Sequence, residues 1–389
     1  MQYITRDAEL ILAKFLATNK VLLVLGARQV GKTTLLEHEL IKDQSVFLNL
    51  DIEIDKAQLT ARAALAPPDA LKSLGSPKVL VVDEAQRFPE IGQLVKGWYD
   101  TKLPVKIILL GSSSVNLMDK IAEALTGRNE KLYLPPLTFR EVARAQSWYK
   151  SPYTKTILLQ NFGRQLQAVM REALVFGSYP ETIAVAEARA QYLLNLASDY
   201  VLKDVLQLGL VKSPDTIRRL LLLLAHQIGA EVSITELAQN LHLARQTVTH
   251  YLDLLERSFV IFRLPAFSTN QRKEIAKNSK IYFWDTGVRN ALLKEFSISE
   301  LRADIGALWE NWVVAEFAKQ NLLAGGMDTL YFWRTTAGSE VDLVIKRKGA
   351  LRAFEISWSK KKRTPLTFTR LYKIPVAMIT RDSFGEYFL

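Results

Sequence analysis

The stretch Gly26-Ala27-Arg28-Gln29-Val30-Gly31-Lys32-Thr33 decides how this sequence folds. Two glycines enclose four residues, and a lysine and a threonine follow at once, which is the spacing of a phosphate-binding loop. An apolar run at 21–25 precedes the loop and a helical pattern follows it, so a chance match in an ordinary glycine turn is the poorer reading. The glycines let the backbone curl until its N–H groups face phosphate oxygens. The helix that follows adds its positive end. Lys32 then reaches the β- and γ-phosphates, and Thr33 offers its hydroxyl to magnesium. Residues Gly26, Ala27, Arg28, Gln29, Val30, Gly31, Lys32, Thr33 and Thr34 are therefore expected to hold ATP, with Mg2+ as its companion.

The run Val79-Leu80-Val81-Val82-Asp83-Glu84 supplies the other half of the site. Four apolar residues bury a strand, and Asp83 emerges at its end to share the magnesium with Thr33. Glu84 is placed to polarise an attacking water. The plainer alternative is a strand ending in two solvated acids. A carboxylate after the magnesium aspartate, together with a further strand at 46–50 between the two motifs, favours hydrolysis over phosphoryl transfer to a metabolite. Ser112, Ser113 and Ser114 follow the next strand. Ser112 stands for the group as a γ-phosphate sensor, against a mere polar turn after Gly111. Arg128 follows Gly127 at a helix end. It is expected either to stabilise transition-state charge, in cis or from a neighbouring subunit, or to be a surface arginine.

Working outward, 21–25, 46–50, 79–82, 105–110 and 131–134 read as buried strands separated by helices, an α/β pattern with a mostly parallel sheet. From 154 to 227 the pattern is helical. Ser233 and Glu236 form a capping box, a second helix carries Val248, Tyr251, Leu252 and Leu255, and 259–264 reads as a strand, the outline of a winged helix-turn-helix. Near the end come a strand at 281–284, an amphipathic helix with Trp309, Trp312, Val313 and Phe317, and strands at 341–345 and 351–356. The expected domains are 1–150, 151–227, 228–268 and 269–389.

Composition sets the outer bounds. The 389 residues carry a formal charge of +11, which favours anionic partners. No cysteine is present, so disulfides and thiolate zinc sites are excluded. The four histidines show no metal-ligand spacing. No apolar run is long enough to span a membrane, and Arg6, Asp7 and Glu9 stand where a signal peptide needs apolar residues. A cytoplasmic protein without a membrane partner is the expectation.

Taken together, 26–36, 79–88, 125–128, 136–141 (Pro-Leu-Thr-Phe-Arg-Glu), 176–181 (Phe-Gly-Ser-Tyr-Pro-Glu), 282–287, 308–311 and 338–342 resemble the prokaryotic AAA-plus-type ATPases that carry a C-terminal domain of unknown function related to PD-(D/E)XK nucleases. The resemblance implies a P-loop NTPase core, a helical lid, a winged helix and a restriction-endonuclease-like α/β domain. It also implies a metal site, intact or vestigial, at Glu310, Asp342 and Glu355, with Glu340 as an extra acid. Ser357 stands where the nuclease pattern has its lysine, and Lys360 has the wrong spacing, so a degenerate fold that binds DNA or protein is favoured over an active nuclease.

Ten basic residues lie between 345 and 373: Lys346, Arg347, Lys348, Arg352, Lys360, Lys361, Lys362, Arg363, Arg370 and Lys373. Interleaved with Phe354, Trp358, Phe368 and Tyr372, they suit a nucleic-acid backbone, or else form a solvated loop. On the winged helix, Arg245, Gln246, Thr249 and His250 are types that contact DNA, although such modules also serve for packing. The leading expectation is an ATPase that couples nucleotide state to a module contacting nucleic acid. Its rivals are an ATP-gated nuclease and a non-hydrolysing switch that assembles with a protein partner. An arginine finger acting in trans would require a homo-oligomer.

Overall fold

Val21–Leu25 (β1) is wholly apolar, and four of its five residues are buried. Such a strand has no solvent side and belongs inside a parallel sheet covered on both faces. The structure, a computed structural model, describes residues 3–111, 115–150, 153–185, 187–200, 214–268, 279–359 and 365–389. It divides into two units, 1–135 and 136–389.

In the first unit, β1 is joined by Ser45–Asn49 (β2), Val79–Asp83 (β3), Lys106–Gly111 (β4) and Asn129–Tyr133 (β5). All neighbours pair in parallel, in the order β2-β3-β4-β1-β5. The helices are Glu9–Leu16 (α1), Lys32–Glu39 (α2), Glu53–Ala63 (α3), Pro67–Ser73 (α4), Ile91–Asp100 (α5) and Val115–Ala124 (α6). Leu23, Leu80, Val82 and Leu109 on one face pack with Leu59, Val95, Trp98 and Leu125 from the helices. Leu22, Val24 and Ile108, on the other face by alternation, are equally buried. The strand at 131–134 expected from sequence is the edge strand β5, one of the two neighbours of β1.

The second unit starts with Phe139–Arg144 (α7), capped by the reciprocal box of Thr138 and Glu141. Lys155–Asn161 (α8), Gly163–Phe176 (α9), Pro180–Ala184 (α10), Arg189–Asn195 (α11) and Pro214–His226 (α12) follow. Ile234–Leu241 (α13) and Arg245–Arg257 (α14) precede an antiparallel pair, Ile261–Leu264 (β6) and Lys280–Phe283 (β7). After Thr286–Leu293 (α15) and the largely buried Ile305–Leu323 (α16) come Thr329–Arg334 (β8), Glu340–Arg347 (β9), Ala350–Ile356 (β10), Leu366–Tyr372 (α17), Val376–Ile379 (β11) and Gly385–Phe388 (α18). The last four strands make one sheet, β11-β10-β9-β8, with only β10–β11 parallel. Strands β8 and β11 were not anticipated from sequence. No described helix is long and apolar enough to cross a membrane.

One polar network knits the second unit together. Asp285 is 3% exposed and caps α15, accepting from Val288 N at 3.2 Å and from Ser178 N at 2.7 Å. Lys319, on α16, donates to Ser178 Oγ at 2.8 Å, to the Leu137 carbonyl at 3.1 Å and to Glu316 Oε1 at 2.8 Å. Glu316 Oε2 accepts from Phe139 N at 2.8 Å, holding the start of α7. Asn311 brackets Phe283, taking its N–H and giving to its carbonyl. Gly177 must be glycine: its φ is +69°, and a Cβ would lie 1.9 Å from Asp285 Oδ1. Burial pushes the Asp285 and Glu316 carboxyls up, and Lys319 pulls both back down. The segments 136–141, 176–181, 282–287 and 308–311 thus meet at one seam.

Asp285→Ala strands the Ser178 and Val288 amides in the interior. It should cost roughly 3–5 kcal/mol, read as a shift of the urea unfolding curve of the full chain. A cost below about 1 kcal/mol would show the network to be incidental.

Candidate functional site

The phosphate loop leaves β1 after Leu25 and turns through two left-handed residues, Gln29 (φ 58°) and Gly31 (φ 89°), before α2 starts at Lys32. Its first glycine is fixed by crowding. A Cβ on Gly26 would lie 2.2 Å from the Leu134 carbonyl oxygen, because Leu134 N extends the β1–β5 pairing by donating to the Leu25 carbonyl at 2.7 Å. Arg6, 4% exposed, clamps the far side of the loop. It donates to the Val30 carbonyl at 2.7 Å and to the Pro135 carbonyl at 2.8 Å. Glu9 Oε1 holds this N-terminal segment by accepting from Arg6 N at 2.7 Å and from the Tyr3 hydroxyl at 2.8 Å. Sequence reasoning missed Arg6, since its partners lie 24 and 129 residues away and leave no local pattern.

Inside the loop, Lys32 Nζ donates to the carbonyls of Gly26 (3.0 Å) and Ala27 (2.8 Å), so its ammonium sits within the curl. Ala27 and Val30 are buried, while Gln29 and Thr34 are exposed. Thr33 Oγ1 donates to Asp83 Oδ2 at 2.6 Å. A hydroxyl and a carboxylate brought together this closely are hard oxygen donors of the kind Mg2+ takes. Asp83 Oδ1 accepts from Glu84 N at 2.8 Å. Glu84 itself is left-handed (φ 50°, ψ 41°), and its Oε2 accepts from the Gln86 side chain. A non-glycine residue in that region costs about 1–2 kcal/mol, so its surroundings impose the turn.

Arg128 lies at the wrong end of the sheet. Its carbonyl accepts from Val21 N at 2.9 Å, at the start of β1, whereas the loop leaves the other end, about 15 Å further on. Its guanidinium pairs with Asp100 at 2.7 Å (Nε to Oδ1) and 3.2 Å (Nη2 to Oδ2). An action in cis on this loop has no geometric route. Parallel strands begin at a common edge, and a residue just before β5 belongs to that edge. Ser112 lies outside the described residues, as do Ser113 and Ser114.

In the second unit Asp342 and Glu355 are buried and Glu310 is half-buried, but the three do not converge. Glu310, on α16, accepts from Lys280 Nζ at 2.9 Å and from the Tyr282 hydroxyl at 2.6 Å. Asp342 Oδ2 accepts from Ile356 N at 2.7 Å, and Glu355 is 2% exposed on β10. Among the described residues, only Glu9, His38 and Glu39 form a group of three or more candidate metal ligands with donor atoms within 4.8 Å of one another. Glu310, Asp342 and Glu355 are not such a group.

The basic cluster is also changed by the structure. Phe354 and Phe368 are buried, 5% and 0% exposed, and belong to the core instead of offering faces to bases. Arg347 and Arg352 pair with Asp328 at 3.2 and 3.7 Å. Lys348 and Gly349, both at positive φ, form the tight turn between β9 and β10. Lys360, Lys361, Lys362 and Arg363 lie outside the described residues. On α14, Arg245 and Gln246 are exposed, and Thr249 and His250 are half-buried.

Three family models match the chain in succession. Residues 18–143 match the family described as AAA domain, 167–299 a domain of unknown function (DUF8612), and 305–381 a domain of unknown function (DUF4143). Uncharacterized proteins of Mycobacterium tuberculosis and Mycobacterium bovis are each 31% identical over 366 residues, covering 92% of this chain and 74% of theirs. The chain belongs to their family. An uncharacterized protein of Methanocaldococcus jannaschii is 25% identical, covering 95% of this chain and 82% of its own. Among solved structures, a Walker-type ATPase of Pyrococcus abyssi has a TM-score of 0.46 at 17% identity, covering 75% of this chain and 96% of that one. The first unit is an AAA-type ATPase domain.

Arg6→Ala frees the loop at Val30 and should raise the Kd for ATP about tenfold, a loss of about 1.4 kcal/mol. Arg128→Ala should change it by less than about twofold. Titration of each full-length variant with a fluorescent ATP analogue reads both.

Proposed function

We propose that the chain hydrolyses ATP with magnesium at the loop 26–33 and transmits the nucleotide state to the second unit, which contacts nucleic acid. The observation that carries the reading is the 2.6 Å bond between Thr33 Oγ1 and Asp83 Oδ2, which joins the two oxygen donors a nucleotide-bound magnesium requires. Magnesium there would neutralise charge on the phosphates. Lys32, already within the curl, needs only to exchange the Gly26 and Ala27 carbonyls for phosphate oxygens. The backbone N–H groups of 27–33 orient the phosphates, and Glu84 takes up the proton of the attacking water. Its left-handed backbone is the kind of local strain that accompanies such a role.

The seam around Asp285 supports treating 136–389 as one responding body. In this reading α13, α14, β6 and β7 form a winged helix, and the four-stranded sheet with α16 has the nuclease-like form without cutting. Charge supports nucleic acid as the partner. Residues 136–389 hold 34 lysines and arginines against 24 acids, a net +10, while 1–135 hold 17 against 16, a net +1. The exposed Arg245 and Gln246 and the turn at Lys348 are the surfaces offered.

The test is steady-state ATPase activity with and without DNA at low and high salt. Lys32→Ala and Glu84→Gln should each lower the rate at least about a hundredfold. DNA should stimulate the wild type, and salt should erase the stimulation. Equal, near-zero rates in wild type and Glu84→Gln would overturn hydrolysis. A DNA-independent rate would overturn the nucleic-acid partner.

A further inference from the structure

Two acids of the second unit, Glu310 and Glu340, meet at an ammonium group. Lys280, on β7, is 3% exposed. Its Nζ lies 2.9 Å from Glu310 Oε1 on α16 and 2.6 Å from Glu340 Oε1 on β9, and 5.6 Å from the centre of the Phe332 ring. The Tyr282 hydroxyl, two residues along β7, completes the contacts of Glu310 Oε1 at 2.6 Å. Arg334 reaches Glu340 from outside at 3.8 Å. Burial alone would lower the Lys280 pKa, but the carboxylates of Glu310, Glu340 and Asp342 outweigh it and raise it, so the group is charged. Burial pushes Glu310 up, Lys280 draws it back, and Asp342 adds to the rise.

We propose that Lys280 is the resident cation of this carboxylate cluster, an ammonium in the place where gathered acids would otherwise hold a divalent metal. Two carboxylates from two elements, Glu310 and Glu340, bear on one buried point, and a point of that kind demands positive charge. A compact ammonium on a flexible stem meets the demand without any ligand from solution. Glu310, Asp342 and Glu355 do not gather within metal-ligand reach around it. The lysine absent at position 357 is thus answered by one supplied from 77 residues upstream, bonded to the acids.

The experiment measures Mn2+ binding to the full chain without nucleotide, by electron paramagnetic resonance and by thermal unfolding. The phosphate loop is common to all variants and cancels in the comparison. Wild type should show no Mn2+ site that Glu310→Gln removes. Lys280→Ala should gain one, at least about tenfold tighter than any wild-type binding. Its unfolding temperature should rise by roughly 3 °C at saturating Mn2+. The gain should vanish in Lys280→Ala combined with Glu310→Gln. A wild-type Mn2+ site lost in Glu310→Gln or Asp342→Asn would overturn the proposal. So would a folded Lys280→Ala with no gain. Should Lys280→Ala fail to fold, recovery of its unfolding transition with Mn2+ supports the proposal, and otherwise the wild-type comparison decides.

Discussion

A buried carboxylate obliges the chain around it to supply donors, and Asp285 sets that obligation for the whole second unit. Its two oxygens take amide protons from Ser178 and Val288, on segments more than a hundred residues apart in sequence. Ser178 is in turn tied to Lys319, and Lys319 to Glu316 and to the segment that starts α7. Removing any member leaves another unsatisfied in the interior, which is why such networks hold as a whole or not at all. The close approach of Gly177 to the Asp285 carboxylate follows from the same demand. So does the tight packing of Gly287, where a Cβ would lie 2.5 Å from the Phe176 carbonyl oxygen.

The nucleotide site obeys a different constraint. There the backbone must present its donors outward, so the loop gains little from its own hydrogen bonds and needs outside support. Leu134 supplies it on one flank and Arg6 on the other. Both supports touch carbonyl groups, and neither is made through an amide of the loop itself. Arginine suits this task because its planar fork spans two acceptors and never loses its charge.

How much was legible in the sequence depended on range. The loop, the Asp83 strand and the five-stranded parallel sheet were readable because strand, turn and helix signals are local. Arg6 was not, because only the folded chain brings Val30 and Pro135 to it. Arg128 was left open among three roles for want of strand direction, which speaks against the one in cis: in a parallel sheet, a residue ahead of a strand stands opposite the edge where loops bind ligands. The segments 136–141, 176–181, 282–287 and 308–311 served as marks of a family. Their physical content is the buried seam, visible only once partners are known. Lys280 escaped notice because the search for a lysine followed the spacing of one strand, whereas a cation can arrive from any element that reaches the same point.

Glu84 sits in a backbone conformation that glycine or asparagine would adopt with less strain. Either replacement would relieve that backbone strain while deleting the carboxylate. Selection for stability alone would therefore drive this position away from glutamate. A laboratory lineage evolved only for thermal resistance offers a way to see that drift, because the strained turn is kept only where its chemistry is being used.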